Sequence, residues 1–196
     1  MSADPWDITV RPNESTAVVT FRTKDIQCVD AVKYFAGKKV TLSEVVRGIT
    51  LTENNIIVGG NGKLFILDQN GKHMRTLKIN GGSICYIHIG TKGDYYYTDY
   101  NRLYCVKPDG NEVFSYCIKG ESKNRNMTTD NQGNIYLVGS NTSTIERLSP
   151  DGSFDRTILK KDSGINEPLT ICFNQQRDRL YVSNYCDHSV CVYKCK

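Results

Sequence analysis

The residues best equipped for chemistry are eight cysteines and three histidines in a chain of 196 residues. The stretch Cys186-Asp187-His188-Ser189-Val190-Cys191, followed by Cys195, gathers three thiols and an imidazole, the ligand types of a tetrahedral zinc site. Its spacing matches none of the paired forms that such sites use. A loop running into a strand would put Cys191 and Cys195 on one face and leave Cys186 uncontrolled. Structural thiols are the simpler expectation, with no metal. His73, His88 and His188 are scattered along the chain, and a lone histidine is more often a hydrogen-bonded structural group than a ligand or base. No Gly-x-Ser-x-Gly elbow, phosphate loop or paired-carboxylate motif occurs. No catalytic residue, cofactor or small-molecule substrate is expected.

The elements that would position these groups are strands. Four alanines and eleven leucines, set against 12 tyrosines and abundant valine, isoleucine and threonine, are strand-favouring usage. Sixteen glycines and many asparagines can punctuate short strands. A helical bundle or coiled coil is excluded, and one all-β domain is expected. Lys+Arg 25 against Asp+Glu 21 gives +4, which excludes neither nucleic acid nor acidic protein partners. Met1 to Val10 holds Asp4 and Asp7 and no apolar run of signal-peptide length, and no window approaches a membrane span. A cytoplasmic chain with free thiols and no membrane partner is the corresponding expectation.

Self-similarity organises the chain. Short apolar runs begin at Val18, Ile56, Tyr95, Ile135 and Leu180, at offsets of 38, 39, 40 and 45 residues. Each is followed by a second run, starting at Ile26, Leu64, Leu103, Ile145 and Val190. A strand-rich period near forty means propeller blades. After the second run come Asp68-Gln69-Asn70-Gly71, Lys107-Pro108-Asp109-Gly110 and Ser149-Pro150-Asp151-Gly152, turns in which Pro fixes φ or Gly accepts a positive one. Charged outer strands are expected over Lys38 to Val46, His73 to Ile79, Glu112 to Ile118 and Asp155 to Leu159. Shorter segments precede each first run: Ile8-Thr9-Val10, Ile49-Thr50-Leu51, Ile87-His88-Ile89, Met127-Thr128-Thr129 and Leu169-Thr170-Ile171. Four strands per repeat are the content of a blade. Cys28 and Cys105 fall in the column that holds Ile66 and Val192, so they read as small buried hydrophobes.

The Gly48-Ile49 opening, the Gly133 to Tyr136 strand, the Asp or Asn at 99, 141 and 184 and the Pro-Asp-Gly turn together resemble the NHL repeat over nearly the whole chain. More narrowly, Pro5-Trp6-Asp7-Ile8 with Ala17-Val18-Val19-Thr20, and Leu180 to Tyr185, resemble the C-terminal propellers of tripartite-motif (TRIM) NHL proteins of molluscan type. The resemblance implies an all-β propeller of NHL type, usually six-bladed. With blades over approximately 6-46, 48-79, 84-118, 125-160 and 168-195, this chain reads as about five blades of an incomplete six-bladed ring.

It also implies function. TRIM-NHL propellers are binding modules, so a non-catalytic scaffold that recognises a protein partner or substrate is the leading expectation, with a parent able to act as an E3 ubiquitin ligase through a RING. The alternative is an RNA-binding propeller whose basic loops, with Tyr100 and Tyr185, hold phosphates and stack bases. A third, less favoured, is an NHL-fold metal-dependent lyase or hydrolase, which would need several inward-facing histidines. The expected binding residues lie in loops, because loops carry recognition while alternating strand residues carry packing. They are Asn101, Arg102, Lys119, Lys123, Arg125, Asn141, Arg177, Arg179, Asn184 and Tyr185. Asn141 and Asn184 have a structural alternative as turn formers.

Overall fold

The period of about forty residues folds as a succession of antiparallel meanders in which every strand pairs with the next. The computed structural model describes residues 4–10, 16–33, 35–118 and 126–195. Blade 1 comprises β1 (Asp7–Val10), β2 (Thr16–Thr20), β3 (Asp25–Asp30) and β4 (Phe35–Thr41). Blade 2 holds β5 (Ile49–Leu51), β6 (Asn55–Gly59), β7 (Asn61–Asp68) and β8 (His73–Ser83). Blade 3 holds β9 (Tyr86–Ile89), β10 (Tyr95–Thr98), β11 (Arg102–Val106) and β12 (Glu112–Cys117). Blade 4 holds β13 (Met127–Thr129), β14 (Ile135–Gly139), β15 (Thr144–Leu148) and β16 (Phe154–Leu159). Blade 5 has β17 (Pro168–Phe173), β18 (Arg179–Asn184) and β19 (Val190–Lys194). The molecule is a five-bladed β-propeller; no sixth blade stands among the described residues.

Alternation along the strands builds the junctions between blades. Tyr95 and Tyr97 turn toward blade 2, where they pack with Ile57, Leu64, Ile66 and Tyr104. Tyr96 turns the other way and joins Leu103, Cys105, Ile135 and Leu137 between blades 3 and 4. Val18, Ile26, Ile56, Val58 and Leu67 fill the junction of blades 1 and 2, and Val138, Ile145, Ile171, Leu180 and Val182 that of blades 4 and 5. None of these four clusters spans blades 5 and 1, whose outward faces leave Ile8, Val10, Val190 and Val192 exposed.

Turn chemistry sets strand register. Gly71, Gly110 and Gly152 sit at φ of 79°, 95° and 85° and donate their N–H groups to Asp68, Lys107 and Ser149. Each closes a tight turn ending in a left-handed residue, and each ladder shifts by one residue there, the expected bulge of such hairpins. Outer strand β4 starts earlier than the charge pattern indicates. Leu42 and Val46, expected on an exposed strand, are buried against blade 2, their backbones held by Lys24 and Thr23. Gly48 is required by close approach: a Cβ there would lie 2.8 to 3.0 Å from backbone atoms of Tyr86. No described helix is long and apolar enough to cross a membrane.

Candidate functional site

The innermost strands β1, β5, β9, β13 and β17 surround one cavity of about 500 Å³. Its wall includes Thr9, Thr50, His88, Thr128 and Cys172, one from each blade. These occupy equivalent register positions, opposite Val18, Ile57, Tyr96, Tyr136 and Tyr181 on the second strands. In blade 5 the ladder pairs Cys172 with Tyr181 and Thr170 with Ser183, so Cys172, not the Thr170 of the repeat alignment, takes the wall position. Asn126, Asn174, Gln175 and Arg177 complete the polar lining.

His88 Nε2 lies 2.9 Å from Thr129 Oγ1, a hydrogen bond that joins blades 3 and 4 across the wall. Burial, reinforced by the Arg177 guanidinium, pushes the imidazole down to about 4, so His88 is neutral at physiological pH. Asp7 accepts N–H bonds from Ile8 and Ile49, at 2.9 and 3.0 Å. Burial outweighs these two bonds and pushes its carboxyl up to about 7.

These two shifts have opposite linkage signs. Folded Asp7 binds more protons than an unfolded aspartate between about pH 4 and 7, so its contribution to stability falls as pH rises through that window. Folded His88 binds fewer than an unfolded histidine between about pH 4 and 6.5, so its contribution rises. Over the shared window they offset. Asp7→Asn is expected to give stability that climbs with pH, and His88→Gln stability that declines, each by at most about 1.4 kcal/mol per pH unit. Urea denaturation across that range checks this; profiles in both variants parallel to the wild type would contradict it.

Trp6 stands just before β1, at the end of the inner strands away from the Arg177 turn. Its indole N–H donates to the Cys85 carbonyl at 2.9 Å, and its ring stacks on Tyr86 at 5.9 Å between centroids. The Arg22 guanidinium covers the ring at 3.9 Å. Trp6 thereby ties the start of blade 1 to blade 3.

Among the described residues expected to bind, Arg177 alone lines this cavity. It lies in the β17–β18 turn. Asn101, Asn141 and Tyr185 sit at turns between second and third strands, at the other end of the propeller, and Arg102 opens β11 with its side chain exposed. Asn184 is buried: Nδ2 donates to Gly164 and Ser189 oxygens, while Oδ1 accepts the Asn166 N–H. It is a turn organiser. Arg179 is exposed and outside the cavity lining. Lys119, Lys123 and Arg125 lie outside the described residues.

Cys105 is buried and Cys28 packs against the core between blades 1 and 2. Cys195 packs into the junction of blades 4 and 5, the Cys191 thiol lies against the Gly164 carbonyl, and Cys186 is exposed. Among the described residues, no three His, Cys, Asp or Glu side chains are grouped to hold a metal.

The class defined by this geometry is a five-bladed propeller with a polar central cavity. Among solved structures, the fold is similar to selenomethionine-substituted virginiamycin B lyase from Staphylococcus aureus, at TM-score 0.71 and 14% identity, covering 97% of this chain and 69% of that one. It is also similar to a catalytically inactive variant of that lyase with quinupristin, at TM-score 0.72 and 16% identity, covering 100% and 71%. At these identities the likeness is one of fold. No family model and no curated protein matches the sequence, so the tripartite-motif resemblance rests on the motifs quoted above alone.

Proposed function

We propose that this chain is a non-catalytic recognition module that takes a small polar ligand, or the polar end of a larger partner, into its central cavity from the Arg177 side. The observation that carries this reading is the lining: each of the five blades places a polar or thiol side chain at the same register position around one cavity. Hydroxyl, amide and imidazole groups at a concave site fix a ligand's orientation by hydrogen bonding.

The test is ligand-dependent thermal stabilisation by a panel of amino acids, dicarboxylates, phosphates and polyamines. Wild type is compared with Thr50→Phe, which fills the cavity from the β5 wall. A ligand at about a hundred times its Kd adds about 2.7 kcal/mol to stability, so binding in the cavity raises the wild-type midpoint and leaves the blocked variant unmoved. Equal shifts in both proteins would overturn the reading.

The fold shared with virginiamycin B lyases favours a second reading, a lyase acting on quinupristin or a related molecule. His88 is the one histidine in the cavity wall among the described residues, and it is hydrogen-bonded and neutral. The first reading expects quinupristin to survive incubation unchanged by chromatography; conversion would favour the second.

A further inference from the structure

We propose that Arg177 is the receptor for the carboxylate of a small acidic ligand seated in the central cavity, an assignment that rests on the recognition reading above.

The backbone carries the first observation. The β9–β10 turn closes with Gly93 N–H on the Gly90 carbonyl, and the β13–β14 turn with Gly133 N–H on Asp130; both glycines have φ 84°. The β17–β18 turn closes in the same way, Arg177 N–H on the Asn174 carbonyl at 3.0 Å, with Arg177 at φ 55°. Blade 5 therefore holds an arginine where blades 3 and 4 hold glycine. An L side chain in the left-handed region is strained, and such strain clusters where a side chain is needed for function. The turn is fixed independently, because Asn174 Oδ1 accepts the Arg179 N–H while Nδ2 donates to Gln176 and Asp178.

The side chain supplies the second observation. Arg177 Nη1 donates to the Thr129 carbonyl at 2.9 Å, which clamps the guanidinium beside the cavity. No described carboxylate is ion-paired with it. With one N–H engaged, the remaining edge of the planar fork suits a carboxylate held by two parallel bonds. Asn126, Thr128 and Gln175 line the same space and can hydrogen-bond the rest of a small polar molecule.

Among the described residues, the titratable groups facing this space are Asp7 on β1, His88 on β9, Cys172 on β17 and Arg177 itself; β5 and β13 contribute none. His88 is neutral above about pH 4, and burial keeps Cys172 a thiol. Asp7 gains its charge near neutrality, so an anionic ligand binds more weakly as pH rises from about 6 to 8.

Isothermal titration near pH 6 with succinate, succinamide, 1,4-diaminobutane and inorganic phosphate tests the assignment. Succinate is expected to bind about tenfold or more tightly than succinamide, since a hydrogen bond between charged groups is lost with the amide. Arg177→Gly should lose about the same factor while folding normally, because its turn then matches those of blades 3 and 4, and Arg179→Gln should bind as wild type does. Equal binding of succinamide, preference for phosphate, retention of succinate by Arg177→Gly, or an equal loss in Arg179→Gln would overturn the carboxylate assignment. The two levels separate through Thr50→Phe. A neutral probe that binds wild type but not Thr50→Phe sinks the carboxylate assignment alone. Succinate binding undiminished in Thr50→Phe sinks the cavity reading itself.

Discussion

Tyr97→Ala is expected to lower the unfolding free energy by about 3 to 5 kcal/mol, the range for truncating a large aromatic in a packed core. Tyr97 is 0% exposed at the junction of blades 2 and 3, and its ring stacks on Tyr104 at 4.9 Å with an 11° interplanar angle. Its hydroxyl donates to the Asn80 carbonyl at 3.0 Å, which pins β8 to the neighbouring blade. Burial holds this phenol far above its usual ionisation range, so the bond persists at alkaline pH. Tyr97→Phe keeps the stack and the volume and should lose about 1 to 2 kcal/mol by leaving the Asn80 carbonyl unpartnered. Urea denaturation of both variants separates packing from hydrogen bonding. A loss below about 1 kcal/mol for the alanine variant would mean that this junction is not packed as described.

Trp6→Ala is the second large effect, about 2 to 3 kcal/mol, because a half-buried ring loses contact area together with a hydrogen bond and a cation–π contact. The partners are Tyr86, the Cys85 carbonyl and Arg22. Blade 1 then loses its tie to blade 3, so β1 amides should exchange with solvent well before those of β10 and β11. Trp6→Phe preserves the stacking face but not the N–H donor, and about 1 kcal/mol is expected. Uniform exchange across all blades in the alanine variant would show that Trp6 does not tie blade 1 in place.

Both sites illustrate what a sequence reading can reach. The period near forty and the Gly71, Gly110 and Gly152 turns are local signals, and they locate the sheets and the hairpin bulges. The inner triplets also carry a local signal, a polar residue at the centre of Ile8-Thr9-Val10, Ile49-Thr50-Leu51, Ile87-His88-Ile89 and Met127-Thr128-Thr129. That column becomes a cavity wall only when blades converge on an axis, which is a tertiary fact. Cys172 shows the limit more sharply, since the wall position opposite Tyr181 is fixed by the β17–β18 pairing and not by the apolar triplet around Thr170.

Expecting recognition in loops scattered the candidate residues over both ends of the propeller. Arg177 lies at one end, Asn101, Asn141 and Tyr185 at the other, and Asn184 is occupied in holding its own turn. What distinguishes Arg177 is its φ, in a turn position that two other blades fill with glycine. Aligning the Asn174-Gln175-Gln176-Arg177 turn with Asp130-Asn131-Gln132-Gly133 would have exposed it. Trp6 offered no comparable cue, because its partners Tyr86 and Cys85 belong to a blade that is not adjacent to its own.

Amide chemical-shift mapping of the isotopically labelled chain titrated with succinate tests the cavity most directly. Perturbations should centre on His88, Thr129, Asn174 and Arg177, with Tyr100, Asn141 and Tyr185 at the far end unmoved. Perturbations confined to the turns at 99–102, 140–143 and 184–189, with the cavity strands silent, would contradict recognition through the centre of the propeller.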